Sequence, residues 1–435
     1  MYKSLLTPAV LFLALSSVFA QSYTSFFTGS AANISTNPTG GICIMGGATE
    51  NDNAMRWFLQ RAAGGDVLVL RASGSSGYNN YLYSELGVPV NSVETIVFNN
   101  ASAAFDPYVH QRIAQAEAIW FAGGDQWRYV SFWRNTPVDS LVNVAIQNRN
   151  IVIGGTSAGM AILGGFYFTA QNGTVTSGDA LANPYNTRVT VDSAKFINTP
   201  FLNHVITDTH YDNPNRKGRH AVFLARIFKD YGIEAKGIAC DEYTAVCIDP
   251  AGGAAVYGNF PTSDDNAYFI QTNCEIEERG PETCTSGTPL IWNRNGTALR
   301  VYKVKGTQNG ANRFRLSDWK TGIGGVWEQW YVQGGVVSET MGSPINCLTT
   351  STNNNHDLES SLNIYPNPGN ETLTIEAPRL IRKVQVLAYT GQIIHSQEGD
   401  ASESLLLNTE KLPLGMYLLK IYTDNGDFVR QWVKI

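Results

Sequence analysis

Ser157 stands in Gly155-Thr156-Ser157-Ala158-Gly159, straight after the apolar run Ile151-Val152-Ile153. A Gly-x-Ser-x-Gly turn between strand and helix is the pattern of a nucleophile elbow, which holds a serine hydroxyl where a base and a carbonyl can reach it. The small residues Gly155, Ala158 and Gly159 permit the tight turn and let backbone N–H groups approach a developing oxyanion. A glycine-rich turn with an ordinary helix-capping serine would read the same over five residues, so the partners of Ser157 have to decide.

A serine nucleophile needs a base. Among six histidines, His210 in Val205-Ile206-Thr207-Asp208-Thr209-His210-Tyr211 follows an apolar run and is the best candidate. The third member should be a carboxylate that orients the imidazole. Asp179, which lies between serine and histidine in the chain, is the first choice, and Glu242 in Asp241-Glu242-Tyr243-Thr244-Ala245 is the rival.

The elements around these residues alternate. Ile42–Met45, Val67–Leu70, Thr95–Phe98, Ala118–Phe121 and Ile151–Ile153 read as short buried strands; Ala54–Ala62, Pro107–Glu117, Val138–Gln147 and His220–Tyr231 carry apolar residues at helical spacing. This predicts an α/β fold with a mostly parallel sheet covered on both faces, whose glycine-rich strand ends (Gly46-Gly47-Ala48, 72–77, Gly123-Gly124-Asp125) wall a site. Residues 21–250 are expected to form this domain. From 251 to 347 the helical period gives way to aromatic and β-branched runs, a β-rich extension. The polar stretch 348–361 reads as a linker, and 362–435 as a small β-sandwich of alternating strands.

The chain has 435 residues, a net charge of −6 and only 16% charged residues, with no basic block, which excludes nucleic acid as an expected partner. Residues 1–20 combine Lys3, an apolar run and Val18-Phe19-Ala20, the pattern of a secretory signal peptide. Six cysteines in an exported chain permit disulfides; Cys274–Cys284 is the expected pair, Cys240 and Cys247 either pair or pack, and Cys43 reads as a buried small hydrophobe. No cysteine and histidine show metal-ligand spacing, so no metal and no organic cofactor are expected.

Four ordered motifs carry a resemblance: Phe121-Ala122-Gly123-Gly124-Asp125-Gln126, the elbow at Ser157, Asp208-Thr209-His210-Tyr211 with Arg216 and Gly218-Arg219, and Asp241-Glu242-x-Thr244-Ala245. The region from about Gly40 to Asp249 is similar to the cyanophycinase and aspartyl dipeptidase family of serine peptidases, family S51. The resemblance implies a three-layer α/β/α sandwich related to class I glutamine amidotransferases, with Ser157 as nucleophile and His210 as base. It also implies oxyanion donors from Ala158 and from the Gly123-Gly124 loop, substrate contacts from Gln126, Asp208 and Thr209, and a substrate carboxylate held by Arg216 and Arg219. A guanidinium fork suits that last task. The implied substrate is an aspartyl peptide, β-linked aspartyl-arginine polymer or a related acidic peptide. A homodimer is compatible with it.

Relatives usually carry glutamine where this chain has Thr209 and arginine where it has Pro214, which leaves substrate identity open. Two other readings share the elbow: an α/β-hydrolase esterase, and a surface binding protein that has lost turnover on the same scaffold. The C-terminal segment, with Tyr365-Pro366-Asn367-Pro368, Gly415-Met416-Tyr417 and Val433-Lys434-Ile435, resembles the type A sorting domain of the type IX secretion system. That implies the secretion machinery as a partner and a secreted or cell-surface location.

Overall fold

The computed structural model describes residues 21–193, 196–347, 362–388, 393–423 and 426–434. The expected signal peptide and linker lie outside them. The chain divides into two compact units, one ending at Cys347 and one from Leu348 onward.

Alternation along the strands explains the layering of the first unit. In Asp66–Arg71, Leu68 and Leu70 enter one core, while Val67 and Val69 enter another with Met55, Phe58 and Leu59 of the helix Asp52–Arg61. The same split divides Ile119 and Phe121 from Trp120, and Ile42 and Ile44 from Cys43. Successive strand side chains point to opposite faces, so a sheet apolar at every position must be covered on both. The opposite cover comes from the helices Pro107–Gln115, Gln126–Trp133 and Pro137–Arg149. Side-chain caps fix where two of them begin: Asp106 accepts from the Tyr108 amide and Thr136 from the Val138 amide, each just before a proline whose φ is already helical.

Five strands run parallel in the order Ser92–Phe98, Asp66–Arg71, Ala118–Phe121, Val152–Thr156, Gly41–Met45. Antiparallel neighbours extend them at both edges: Tyr23–Gly29 beside Ser92–Phe98, and Ala245–Ile248 beside Gly41–Met45. The ten-stranded sheet is therefore mixed, with its parallel part at the centre.

The stretch 251–347 is not a body of its own. Gly253–Phe260, Arg313–Arg315 and Gly322–Ile323 continue the ten-stranded sheet, and Asn266–Thr272, Leu299–Lys305, Gly325–Gln333 and Val336–Met341 complete a six-stranded sheet begun by Val205–Asp208 and Lys236–Cys240. One face of that second sheet shares the main core through Val205, Ile238 and Phe269; the other, through Ile206, Ala239 and Ile270, packs under the helix Lys217–Tyr231. Cys274 faces Cys347, with Cα atoms 5.6 Å apart, a separation that a disulfide spans. This replaces the expected Cys274–Cys284 pair. Cys247 lies opposite Cys43 across an antiparallel register, sulfurs 3.6 Å apart, in a buried packing contact.

In the second unit Thr372–Ala388 forms one 17-residue strand, with register shifts between Glu376 and Lys383. It pairs with both Ile393–Asn408 and Gly415–Thr423 in a five-stranded antiparallel sheet over Leu373, Ile375, Val384, Leu419 and Trp432.

His220 is fully buried in the helix Lys217–Tyr231, edge-on to Tyr211 at 5.6 Å, and burial pushes its imidazole down to about 4. The unfolded chain takes up this proton first, so the group contributes stability that is complete above the ordinary value of 6.5 and is lost as pH falls toward 4. The loss is on the order of 3 kcal/mol. Thermal midpoints measured across that interval should fall steeply for the native chain and less steeply for His220→Phe; equal slopes would contradict the assignment.

Candidate active site

The parallel strands end where the chemistry-bearing residues stand. Ser157 follows Val152–Thr156 and turns at φ 52°, ψ −116°, a conformation that an L-residue holds only where its surroundings impose it. Gly159 makes that turn possible. A Cβ there would sit 2.0 Å from the Phe121 carbonyl oxygen, so only glycine lets the elbow press against the neighbouring strand end.

His210 follows Val205–Asp208, also at positive φ (45°). Its Nε2 lies 2.8 Å from Ser157 Oγ, and its Nδ1 lies 2.6 Å from Glu242 Oε1. The His210 hydrogen bond holds the Glu242 carboxyl below its ordinary range, so at neutral pH the imidazole faces a carboxylate. Asn213 Nδ2 approaches the other Glu242 oxygen at 3.4 Å, and the Glu242 amide donates to Asp212 Oδ1 at 3.0 Å. Asp179 takes no part in this chain. It sits in the first turn of Ser177–Ala182, where its amide donates to the Thr176 hydroxyl. Of the two carboxylates read from the sequence, Glu242 is the one in contact with His210.

A three-residue stretch binds all of these together. The Ser157 amide donates to the Met45 carbonyl (3.1 Å), the His210 amide to the Gly46 carbonyl (2.8 Å) and the Tyr243 amide to the Gly47 carbonyl (3.1 Å), while the Gly46 amide donates to Thr244 (3.0 Å). Because the Ser157 amide is committed to Met45, oxyanion donors have to come from elsewhere. Ala158 begins the following short helix, so its amide has no acceptor within it. Gly123 faces the serine, its ideal Cβ position 3.6 Å from Ser157 Cβ. The Tyr129 hydroxyl holds that glycine loop by donating to Ala122 and Gly123 carbonyls at 2.9 and 3.0 Å.

Asp208, Thr209 and Arg219 do not face outward. Asp208 and Arg219 form a buried two-pronged ion pair, Nε to Oδ2 at 2.9 Å and NH2 to Oδ1, and Arg219 NH1 turns to Thr174 Oγ1 at 3.2 Å. Burial would raise the Asp208 carboxyl, but the guanidinium outweighs it and holds it below its ordinary range. Thr209 is buried, its amide bonded to Asp208 Oδ1. These residues brace the strand that delivers His210; contact with substrate, which the resemblance implied for them, is not what their surroundings provide. Arg216 differs. It is half-buried, and among the described residues its guanidinium has no hydrogen-bond partner; burial, then Arg219, push it down to about 10, still charged at neutral pH. Gln126 opens the helix after the glycine loop, with a buried Nε2 that has no partner.

A cavity of about 580 Å³ opens beside Ser157, His210 and Gly123. Its lining also includes Glu50, Arg71, Tyr78, Tyr81 and Glu85, none of which the sequence reading singled out. The Tyr78 hydroxyl donates to Glu50, whose carboxyl burial pushes up. Arg71 donates to the Ser73 and Ser75 carbonyls of its own loop. Tyr81 begins a single π-turn, Tyr81–Glu85, the only sequence-local oddity on this wall and one that propensity does not announce.

Together the parallel strands and the helices on both their faces define an α/β/α fold with a serine, a histidine and a carboxylate in contact at its strand ends. Residues 75–253 match the family model "Peptidase family S51", and residues 363–435 match "Secretion system C-terminal sorting domain". Cyanophycinase of Synechococcus elongatus is 26% identical over 227 residues, which are 50% of this chain and 65% of that protein. Cyanophycinase of Trichormus variabilis is 24% identical over 227 residues, 50% of this chain and 70% of that one. This chain thus spans less than two thirds of the length of the Synechococcus protein. Among solved structures, a peptidase from an acI-B1 Actinobacterium aligns with a TM-score of 0.37 at 14% identity, covering 51% of this chain and 89% of that one. A putative peptidase E protein from Listeria monocytogenes aligns at 0.32 and 14%, covering 51% and 98%. The sorting domain marks the chain for type IX secretion to the cell surface or beyond.

The Asp208–Arg219 pair has a measurable consequence. Asp208→Asn would leave a buried guanidinium without its counter-charge, which costs roughly 3–5 kcal/mol. Denaturant unfolding should show a loss of that order, and a loss under 1 kcal/mol would mean that the pair is not buried as described.

Proposed function

We propose that the chain is an exported serine peptidase that cleaves aspartyl peptide bonds by a Ser157–His210–Glu242 triad. The observation that carries this is the unbroken chain of contacts from Ser157 Oγ through both imidazole nitrogens to Glu242. His210 takes the serine proton as Oγ attacks the amide carbonyl, and Glu242 stabilises the imidazolium without itself taking the proton. The oxyanion forms against the Ala158 amide and the Gly123-Gly124 loop. His210 then returns the proton to the leaving amine, giving an acyl-enzyme that water hydrolyses by the same steps in reverse.

The relatives named cyanophycinase support an aspartyl substrate. With Arg219 occupied by Asp208, the substrate carboxylate falls to Arg216. The wall formed by Glu50, Glu85, Tyr78 and Tyr81 suits a positively charged side chain next to the aspartyl unit, through carboxylate pairing and ring faces. β-Aspartyl-arginine peptides meet both demands.

Two measurements check the reading. Ser157→Ala should abolish release of β-aspartyl-arginine from its polymer and should no longer be labelled by a fluorophosphonate; a native chain that neither turns over nor labels would instead be a binding protein on a peptidase scaffold. Glu242→Gln should lower kcat by roughly 10²–10⁴-fold, as loss of the orienting carboxylate does elsewhere, whereas Asp179→Asn should stay within a few-fold of the native chain. The reverse pattern would return the role to Asp179.

A further inference from the structure

Gly47 holds φ +121°, and a Cβ built on it would lie 2.4 Å from both Cε1 and Nε2 of His210 and 3.0 Å from Cδ2. Those atoms form the edge of the imidazole that meets Ser157. Ordinary carbon contacts are about 3.5–4.0 Å, so a single methyl group would displace the ring by about an ångström. The ring has little freedom to yield elsewhere: Nδ1 is held by Glu242, and the His210 amide is held by the Gly46 carbonyl. The Gly47 carbonyl meanwhile accepts the Tyr243 amide, in the turn that carries Glu242.

We propose that Gly47 is a positioning residue of the triad: its bare Cα is the floor on which the Nε2 edge of His210 rests, and its carbonyl fixes the distance from that floor to Glu242. This rests on the triad reading above, but it makes a separate demand, since a glycine required only by its backbone angle would not depend on the histidine side chain. A misplacement of about an ångström costs on the order of a hundredfold in rate.

The test combines reactivity with stability in the full chain. Gly47→Ala should lower the second-order rate of Ser157 labelling by a fluorophosphonate about a hundredfold. A purely structural defect would reduce the amount of folded protein and leave the labelling rate of the folded fraction native. Thermal midpoints of Gly47→Ala, His210→Ala and the double variant then separate contact from backbone strain. Removing the imidazole makes room for the methyl, so Gly47→Ala should cost several degrees less in the His210→Ala background than beside His210. If Gly47→Ala fails to fold and the double variant folds, the contact is likewise established. Equal thermal losses in both backgrounds, failure of both to fold, or native labelling by Gly47→Ala would each overturn the proposal. Absence of labelling in the native chain would instead defeat the triad reading, leaving the thermal comparison to judge the glycine.

Discussion

Everything at the strand ends depends on the backbone of Met45, Gly46 and Gly47. Three carbonyls in a row accept the amides of Ser157, His210 and Tyr243, and so collect a serine, a histidine and the turn carrying Glu242 from three distant parts of the chain. Main-chain bonds suit this role because their geometry does not depend on rotamers, and a buried amide is costly to leave unpaired. The side-chain contacts at 2.8 and 2.6 Å follow from where the backbone has already placed those residues.

The outer supports act on the same residues from further away. On the serine side, Gly159 lets the elbow sit against Phe121, and Tyr129 ties down the facing glycine loop. On the histidine side, the buried Asp208–Arg219 pair joins the strand that delivers His210 to the helix packed over it, with Phe168 and Phe223 against the guanidinium. A hydrogen-bonded ion pair enclosed in this way adds geometric definition more than net stability, since desolvation consumes much of its Coulomb energy. The strain at Ser157 and His210, both at positive φ, persists because these supports surround it.

The cavity gives the site a chemical direction. The cavity beside Ser157 is also lined by Glu50 and Glu85 with two tyrosines, and its one arginine is engaged by its own loop. These carboxylates and rings lie within the cavity lining, while Arg216 interacts electrostatically with Asp208 and Glu242. The burial of Thr209 also lessens the weight of the departure there, because that residue does not reach the cavity wall.

Local pattern alone determined a good deal. The apolar runs at 42–45, 67–70 and 118–121, the helical spacing at 107–117 and 138–147, and the Gly-x-Ser-x-Gly turn are all signals within a few residues, and strands, helices and elbow formed where those signals lay. Continuity over longer distances was not legible. The stretch after 250 read as a β-rich extension of the first domain, but sequence shows strands and not their neighbours, and only pairing revealed that they finish sheets begun earlier. Which carboxylate contacts His210, the withdrawal of Arg219 into a buried pair and the approach of Cys274 to Cys347 likewise depend on tertiary structure. Residue type states what a side chain could do; which partner it meets depends on strand order and register, and these bring Glu242 to His210 while leaving Asp179 to begin a helix.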